Sequence, residues 1–255
     1  MYPVLLETPW FTVSTYSVVA DVAFLVGLGL AALEVRRLGI PWGDALQAGF
    51  WALVGAGLGG RIVYARLHWI AYDSDRLGLL RFWEGGLSWY GALIGGMAFL
   101  VIYAWTVRRS FWRYADAVAP ALALGLAIGR LGCLLNGCCY GAVTDGPLGV
   151  NLPDLNGVYL PRYPTQLMEM LVLLALFGLL WGLRRRWPPS FERWAGAGFL
   201  LYAIIYPAAR FAIEFLRGDA VMSVGPLRAT QVLGGTICVA AILAFATLVV
   251  RQTST

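Results

Sequence analysis

Lysine is absent from this chain, and all 19 basic residues are arginine. Charge of either sign is scarce: 13% of residues are Asp, Glu, Lys or Arg, against about 25% in soluble domains. The missing lysine reflects compositional bias and carries no functional reading. The missing charge excludes an ordinary soluble domain, since 60% of the 255 residues are hydrophobic and mean hydropathy is +0.71. Histidine occurs once, at His68, and cysteine four times, at Cys133, Cys138, Cys139 and Cys238. That is too sparse for a small disulfide-stapled domain, and no C-x-x-C pair appears. Zinc asks for about four ligands, which one distant histidine and the neighbouring cysteines do not supply, so no metal or cofactor is expected. The start, Met1–Trp10, lacks a basic segment and holds Glu7 and two prolines, so no cleavable signal peptide is expected. No period of 20–50 residues marks a repeat array. The net charge of +5 is too modest and too confined to loops to indicate nucleic acid. Attraction to anionic lipid surfaces accounts for it.

What the chain has instead is long apolar runs. About 20 residues are needed to cross the hydrocarbon core. Seven such runs span about Thr15–Val35, Asp44–Leu67, Leu87–Val107, Ala115–Leu135, Pro164–Leu183, Ala195–Leu216 and Thr230–Val250. None alternates like a barrel strand. The expected fold is all-α: one domain over residues 1–255, an integral membrane bundle of seven transmembrane helices with a central lipid-binding cavity.

Arginines flanking the spans set the orientation. Arg36, Arg37, Arg108, Arg109, Arg113, Arg184, Arg185, Arg186, Arg193 and Arg251 all fall on one side if the amino terminus is outside. The opposite loops interleave Arg66, Arg76, Arg81, Arg162, Arg217 and Arg228 with Asp73, Asp75, Glu84, Asp154 and Asp219. The expectation is amino terminus out, carboxyl terminus in. Two outer segments are long: His68 to Gly86, which reads as an amphipathic interfacial piece, and the turn-rich Gly141 to Arg162.

Three arginines break the apolar pattern: Arg61, Arg130 and Arg210. A cation at mid-membrane costs about 2.5–3.5 kcal/mol on insertion scales. An anion sharing the site offsets that cost, and the obvious anion at membrane depth is a lipid phosphate. Arg130 lies in Gly129-Arg-Leu-Gly-Cys-Leu-Leu-Asn-Gly-Cys-Cys-Tyr-Gly141, where glycines permit close approach and Asn136 adds neutral donors. A small-residue helix contact ending in a glycine cap is the other reading. Tyr206, Arg210, Glu214 and Arg217 step by four, four and three along one helical stripe, with Pro207 predicting a kink. Glu214 either neutralises Arg210 in a buried pair or serves catalysis. Trp83–Gly96 carries Tyr90, either an interface anchor or a site residue. Tyr163-Pro-Thr-Gln-Leu-Met-Glu169 puts Gln166 and Glu169 on one face. Tyr16, Asp21, Gly59-Gly-Arg61 and Tyr64 complete the polar inventory. Cys133 and Cys238 read as small apolar packing, while adjacent Cys138 and Cys139 leave a disulfide or a redox role open.

These pieces together resemble the bacterial prolipoprotein diacylglyceryl transferase family, nearly end to end. The resemblance is carried by Tyr16, Gly59-Gly-Arg61-Ile-Val-Tyr64, Gly85-Gly-Leu-Ser-Trp-Tyr-Gly-Ala-Leu-Ile-Gly95 and Asp116-Ala-Val-Ala-Pro120. It continues through Gly129-Arg130 to Asn136-Gly137, Pro164-Thr-Gln166 to Glu169, and Tyr206 to Arg217. It implies a seven-span enzyme of the bacterial inner membrane. Such an enzyme transfers a diacylglyceryl group from phosphatidylglycerol to the lipobox cysteine in the signal peptide of a lipoprotein precursor, and glycerol phosphate leaves. Arg130 and Arg210 match positions tied to headgroup binding and activity, Tyr206 matches another functional position, and Asp116 and Glu214 match acidic ones. The expected catalytic residues are Tyr90, Arg130, Tyr206 and Arg210. The expected substrate contacts are Arg61, Asn136, Glu214, Tyr16 and Gln166, together with the same two arginines.

This chain departs from the family where protons are handled. Tyr90 and Tyr163 stand where the family carries histidines, Cys133 where it has asparagine, and Cys138 where it has glutamate. The acceptor thiolate is the nucleophile, with a thiol pKa of about 8.5. A histidine near pKa ~6.5 can take that proton at neutral pH, whereas tyrosine, near ~10, needs help from guanidiniums. Arginines that lower the thiol's own pKa leave tyrosine to orient or relay. Two further readings stay open. One is a divergent relative that binds phospholipid or modifies another acceptor. The other is a membrane thiol-redox protein using Cys138 and Cys139.

Overall fold

The computed structural model describes residues 4–8, 12–67, 69, 86–154, 157–184, 194–219, 223–224 and 226–253. The expected interfacial segment from His68 to Gly86 falls almost entirely outside them, as do Arg185, Arg186, Arg193 and the side chain of Tyr90.

Each apolar run becomes a helix: α1 (Thr15–Arg37), α2 (Trp42–Leu67), α3 (Trp89–Thr106), α4 (Phe111–Asn136), α5 (Thr165–Leu183), α6 (Ala197–Glu214) and α7 (Ala229–Thr253). Among the described residues, six of these are long and apolar enough to cross a membrane, and α3 is the shorter apolar one. The protein is a multi-pass helical membrane protein. Among the described residues there are three small antiparallel hairpins: β1 (Val4–Glu7) with β2 (Thr12–Ser14) before α1, β3 (Val150–Pro153) with β4 (Tyr159–Arg162) between α4 and α5, and β5 (Ser223–Val224) with β6 (Leu227–Arg228) between α6 and α7. Strands of two to four residues are too short to print a readable alternation, so sequence pattern alone does not show them.

The chain forms two compact units, residues 1–34 with 115–255, and residues 35–114. In the first, Ala119 and Ala123 of α4 pack with Leu176 and Leu180 of α5 and Tyr202 of α6. Leu200 and Ala203 of α6 pack with Ala241 of α7. At one end of this unit Arg184, closing α5, pairs at 2.8 Å with the fully buried Glu34 near the end of α1. At the same end Asp116 caps α6, its carboxylate accepting from Gly196 N–H at 2.6 Å and Phe199 N–H at 2.9 Å. At the opposite end, a Cβ on Gly132 near the end of α4 would meet Tyr16 and Val19 of α1 at 3.2–3.4 Å. Helices α4 and α6 therefore run one way, and α1 and α5 the other.

Asp116, an acidic position of the family resemblance, thus serves the start of α6. It sits 14 residues, about 21 Å along the helix, from Arg130. Asp116→Ala is expected to cost about 1–2 kcal/mol through loss of the cap, read as a lower melting temperature in detergent. Activity per folded molecule should stay unchanged.

The second unit is built on a glycine crossing of α2 and α3. A Cβ on Gly95 would overlap the Gly55 carbonyl oxygen and come within 2.9 Å of Gly59 Cα. One on Gly91 would overlap the Gly59 carbonyl. Both helices thus carry glycines four apart that let their backbones touch, the close-packing device of membrane helices. Gly57, in the same helix, has open space around it. Gly95→Ala is therefore expected to destabilise by about 2–3 kcal/mol through overpacking. Gly57→Ala should be neutral or raise the melting temperature, because alanine is the better helix former. Elsewhere in this unit Arg109 pairs with Asp44 at 3.3 Å, and Arg113 donates to the Leu38 carbonyl at 2.6 Å.

Candidate active site

The stripe along α6 meets one carboxylate. Glu169, one turn into α5 and almost wholly buried, lies between the two arginines that the apolar pattern singled out. Arg130 Nη2 pairs with its Oε1 at 2.6 Å and Arg210 Nη1 with its Oε2 at 2.8 Å. The Tyr206 hydroxyl, four residues before Arg210, donates to Oε1 at 2.8 Å. Tyr206 is held from behind by a stack of rings, 5.6 Å from Tyr202, which is in turn 6.4 Å from Phe199. Rigid helices and ring packing hold the polar atoms of this site.

A second carboxylate extends the cluster. Glu214, with no exposed side-chain surface, pairs with Arg210 at 2.9 Å, Arg228 at 3.4 Å and Arg217 at 3.9 Å. Arg217 also binds Asp219, and Arg228 donates to the Arg217 carbonyl at 2.9 Å. Burial works against the Arg217 charge, but the Asp219 hydrogen bond and nearby anionic groups outweigh it and raise its pKa above the usual guanidinium value. Buried Gln231 ties the strand before α7 to α6, accepting from Arg228 N–H at 3.0 Å and donating to the Phe211 carbonyl at 3.3 Å. Among the described residues the cluster holds four guanidiniums (Arg130, Arg210, Arg217 and Arg228) against three carboxylates (Glu169, Glu214 and Asp219). One positive charge is left over in this largely buried cluster, and a monovalent anion would balance it.

The loop that follows α4 is fastened beside this cluster. Gln166 Nε2 donates to the Cys138 carbonyl at 2.8 Å, and Thr165 Oγ1 to the Cys139 carbonyl at 2.9 Å. Ala142 N–H donates to the Leu216 carbonyl at 2.8 Å, and Gly218 N–H to the Tyr140 carbonyl at 3.0 Å. Arg162 pairs with Asp154 at 3.1 Å and lies over the Tyr140 ring at 4.5 Å. All of this belongs to the end of the unit where α1 begins.

The structure brings Arg130, Tyr206, Arg210 and Glu214 together, as the sequence pattern expected. The alternative of a buried Arg210–Glu214 pair is realised, and Glu214 holds Arg217 and Arg228 as well. Asn136 closes α4, its side chain beside the Cys138 thiol. Gln166 anchors the loop backbone. Tyr16, at the start of α1, is 43% exposed and packs at Gly132. Arg61 belongs to the other unit, where it is buried, donates to the Gly86 carbonyl at 3.1 Å and lies over the Tyr64 ring at 5.9 Å. The hub itself, Glu169, was legible as a polar residue sharing a face with Gln166 and as the end of one stretch of the family resemblance, without its bridging role. Arg228 read as a loop charge, and its place directly before α7 was the one available signal.

Two guanidiniums, a hydroxyl and a carboxylate converging near the ends of apolar helices can hold a phosphate ester, orient it and stabilise charge that builds on its oxygens. The family model described as prolipoprotein diacylglyceryl transferase matches residues 3–247. A phosphatidylglycerol–prolipoprotein diacylglyceryl transferase of Thermosynechococcus vestitus is 34% identical over 235 residues, covering 89% of this chain and 85% of the relative. The enzyme of the same description from Geobacillus kaustophilus is 36% identical over 248 residues, 94% of this chain and 89% of the relative. That of Trichormus variabilis is 33% identical over 257 residues, 98% and 90%.

Proposed function

The chain belongs to the prolipoprotein diacylglyceryl transferase family, and we propose that it transfers a diacylglyceryl group from phosphatidylglycerol to the lipobox cysteine thiol in a lipoprotein precursor's signal peptide. The observation that carries this reading is the one-charge excess of the cluster in which Arg130, Arg210, Arg217 and Arg228 meet Glu169, Glu214 and Asp219. The phosphodiester of phosphatidylglycerol bears one negative charge and so completes it.

In the reaction a sulfur–carbon bond forms at the glycerol carbon of the diacylglyceryl group, and the carbon–oxygen bond to phosphate breaks. Glycerol phosphate leaves with the electron pair, and the thiol proton passes to water, so that atoms and charge balance. Phosphate passes from a monoanionic diester toward a dianionic monoester, so Arg130 and Arg210 face more charge in the transition state than in the ground state. Tyr206, fixed by Glu169 and its ring stack, orients the ester and the incoming thiol. Glu214 positions Arg210. A central cavity between the helices of the bundle accepts the lipid.

Orientation belongs to the same proposal. Arg184 and Arg251 lie at helix ends opposite the cluster, and arginines flanking spans favour the cytoplasm. The cluster, with the amino terminus, then faces the outside of the inner membrane, where lipoprotein precursors emerge.

A vesicle assay tests the function. Purified chain, phosphatidylglycerol and a lipobox peptide are expected to yield peptide carrying a diacylglyceryl thioether. Folded protein that forms no such product, or that lipidates only a different acceptor, overturns the reading.

A further inference from the structure

The three cysteines near the end of α4 are close in space as well as in sequence. The Sγ atoms of Cys133, Cys138 and Cys139 all lie within 4.8 Å of one another. Around a four-coordinate zinc with Zn–S bonds of about 2.3 Å, sulfurs stand about 3.8 Å apart. Rotation of the cysteine side chains covers that difference.

Two features of the backbone make the arrangement a built one. The first is its fastening: buried Thr165 and Gln166 hold the carbonyls of Cys139 and Cys138, and Cys138 N–H donates to the Cys133 carbonyl at 3.1 Å. The second is its conformation. Gly137 ends the helix at φ +74°, and Cys139 follows at φ +59°, a left-handed geometry that a non-glycine residue keeps only where its surroundings impose it. That turn folds the third thiol back onto the first two. Cys133 is buried, while Cys138 and Cys139 are half-buried, which leaves one side open to an exogenous ligand.

Three cysteines fall one short of the four protein ligands of a closed zinc site. Three protein ligands with water or another small donor in fourth place also make a complete site. Soft thiolates select zinc, cadmium or copper(I) over magnesium or calcium.

We propose that Cys133, Cys138 and Cys139 form a three-thiolate site for one thiophilic d10 cation, one helical turn from Arg130. Its fourth ligand comes from outside the protein. Cys238 is no part of it, since its thiol meets the Ile204 carbonyl within the α6–α7 contact.

Cadmium is the probe. The full chain, reduced and detergent-solubilised, is titrated with Cd2+ while thiolate-to-cadmium charge-transfer absorption is followed in the ultraviolet. One ion per chain is expected, with affinity falling at least tenfold in each of Cys133→Ser, Cys138→Ser and Cys139→Ser and unchanged in Cys238→Ser. Absence of the band, or its persistence in the Cys133→Ser/Cys138→Ser/Cys139→Ser triple variant, overturns the proposal. A second measurement needs no variant: bound Cd2+ should slow maleimide alkylation of Cys138 and Cys139 at least tenfold, with Cys238 unaffected. Equal slowing of all cysteines, or of none, overturns it equally. Neither readout uses the transfer reaction, so the site stands or falls apart from the proposed activity.

Discussion

Arg130→Ala and Arg210→Ala are each expected to lower diacylglyceryl transfer by about 10²–10³-fold, the range seen when one preorganised charge-stabilising donor is removed. The argument is electrostatic. Each guanidinium sits at about 2.6–2.8 Å from Glu169 in a buried cluster, so it is in place before substrate arrives and needs no reorganisation during reaction. The phosphate it faces gains a charge as the carbon–oxygen bond breaks. The loss should therefore fall on kcat as well as on KM, because an interaction that strengthens in the transition state is being deleted. Lysine replaces the charge but not the planar fork, so Arg130→Lys and Arg210→Lys should recover only part of the rate. Initial rates in phosphatidylglycerol vesicles, with melting temperature as the folding control, decide it. Activity within threefold of wild type in folded Arg130→Ala protein would remove that residue from the site.

These two arginines were legible because the membrane makes them anomalous: an intramembrane cation has no bland surface role to fall back on. The helices were legible for a related reason, since bilayer thickness fixes their apolar length. The fifth run, read as Pro164–Leu183, becomes a helix over Thr165–Leu183. Where a charge interrupts the first turn of a helix the hydropathy signal breaks, and α4, with Arg113 in its first turn, starts at Phe111, four residues before the expected Ala115. Partners across the fold were a different matter. Glu214 follows Arg210 by one turn, so periodicity exposes that pair. Glu169 is 39 residues from Arg130 and 41 from Arg210, and no local pattern records which long-range partners will meet. The sequence offered Gln166 and Glu169 as one face of α5 without showing that Gln166 would hold a loop and Glu169 would bridge two cations. The cysteine cluster was hidden for the same reason, because the left-handed turn at Cys139 that closes it has no signature in residue type.

Removing the bridge should cost the fold several kcal/mol. Glu169→Ala leaves Arg130 and Arg210 facing each other with no carboxylate between them, and it strips the Tyr206 hydroxyl of its acceptor. Breaking a buried pair by deleting one partner costs about 3–5 kcal/mol, mostly from the charge left behind. At about 2–4 °C per kcal/mol for a chain near this size, the melting temperature should drop by roughly 6–20 °C. Glu169→Gln keeps an acceptor for Tyr206 but points amide donors at guanidinium donors, so it should fall between alanine and wild type. A purely structural glutamate would stop there. If the cluster holds a lipid anion, Glu169→Ala also leaves the site with greater excess positive charge, and phosphatidylglycerol should restore more of its stability than it adds to wild type, by preferential binding to the folded state. A zwitterionic phospholipid at the same concentration should not. Equal stabilisation of both proteins by both lipids would show that Glu169 merely joins helices, and that Arg130 and Arg210 are not poised for an anion.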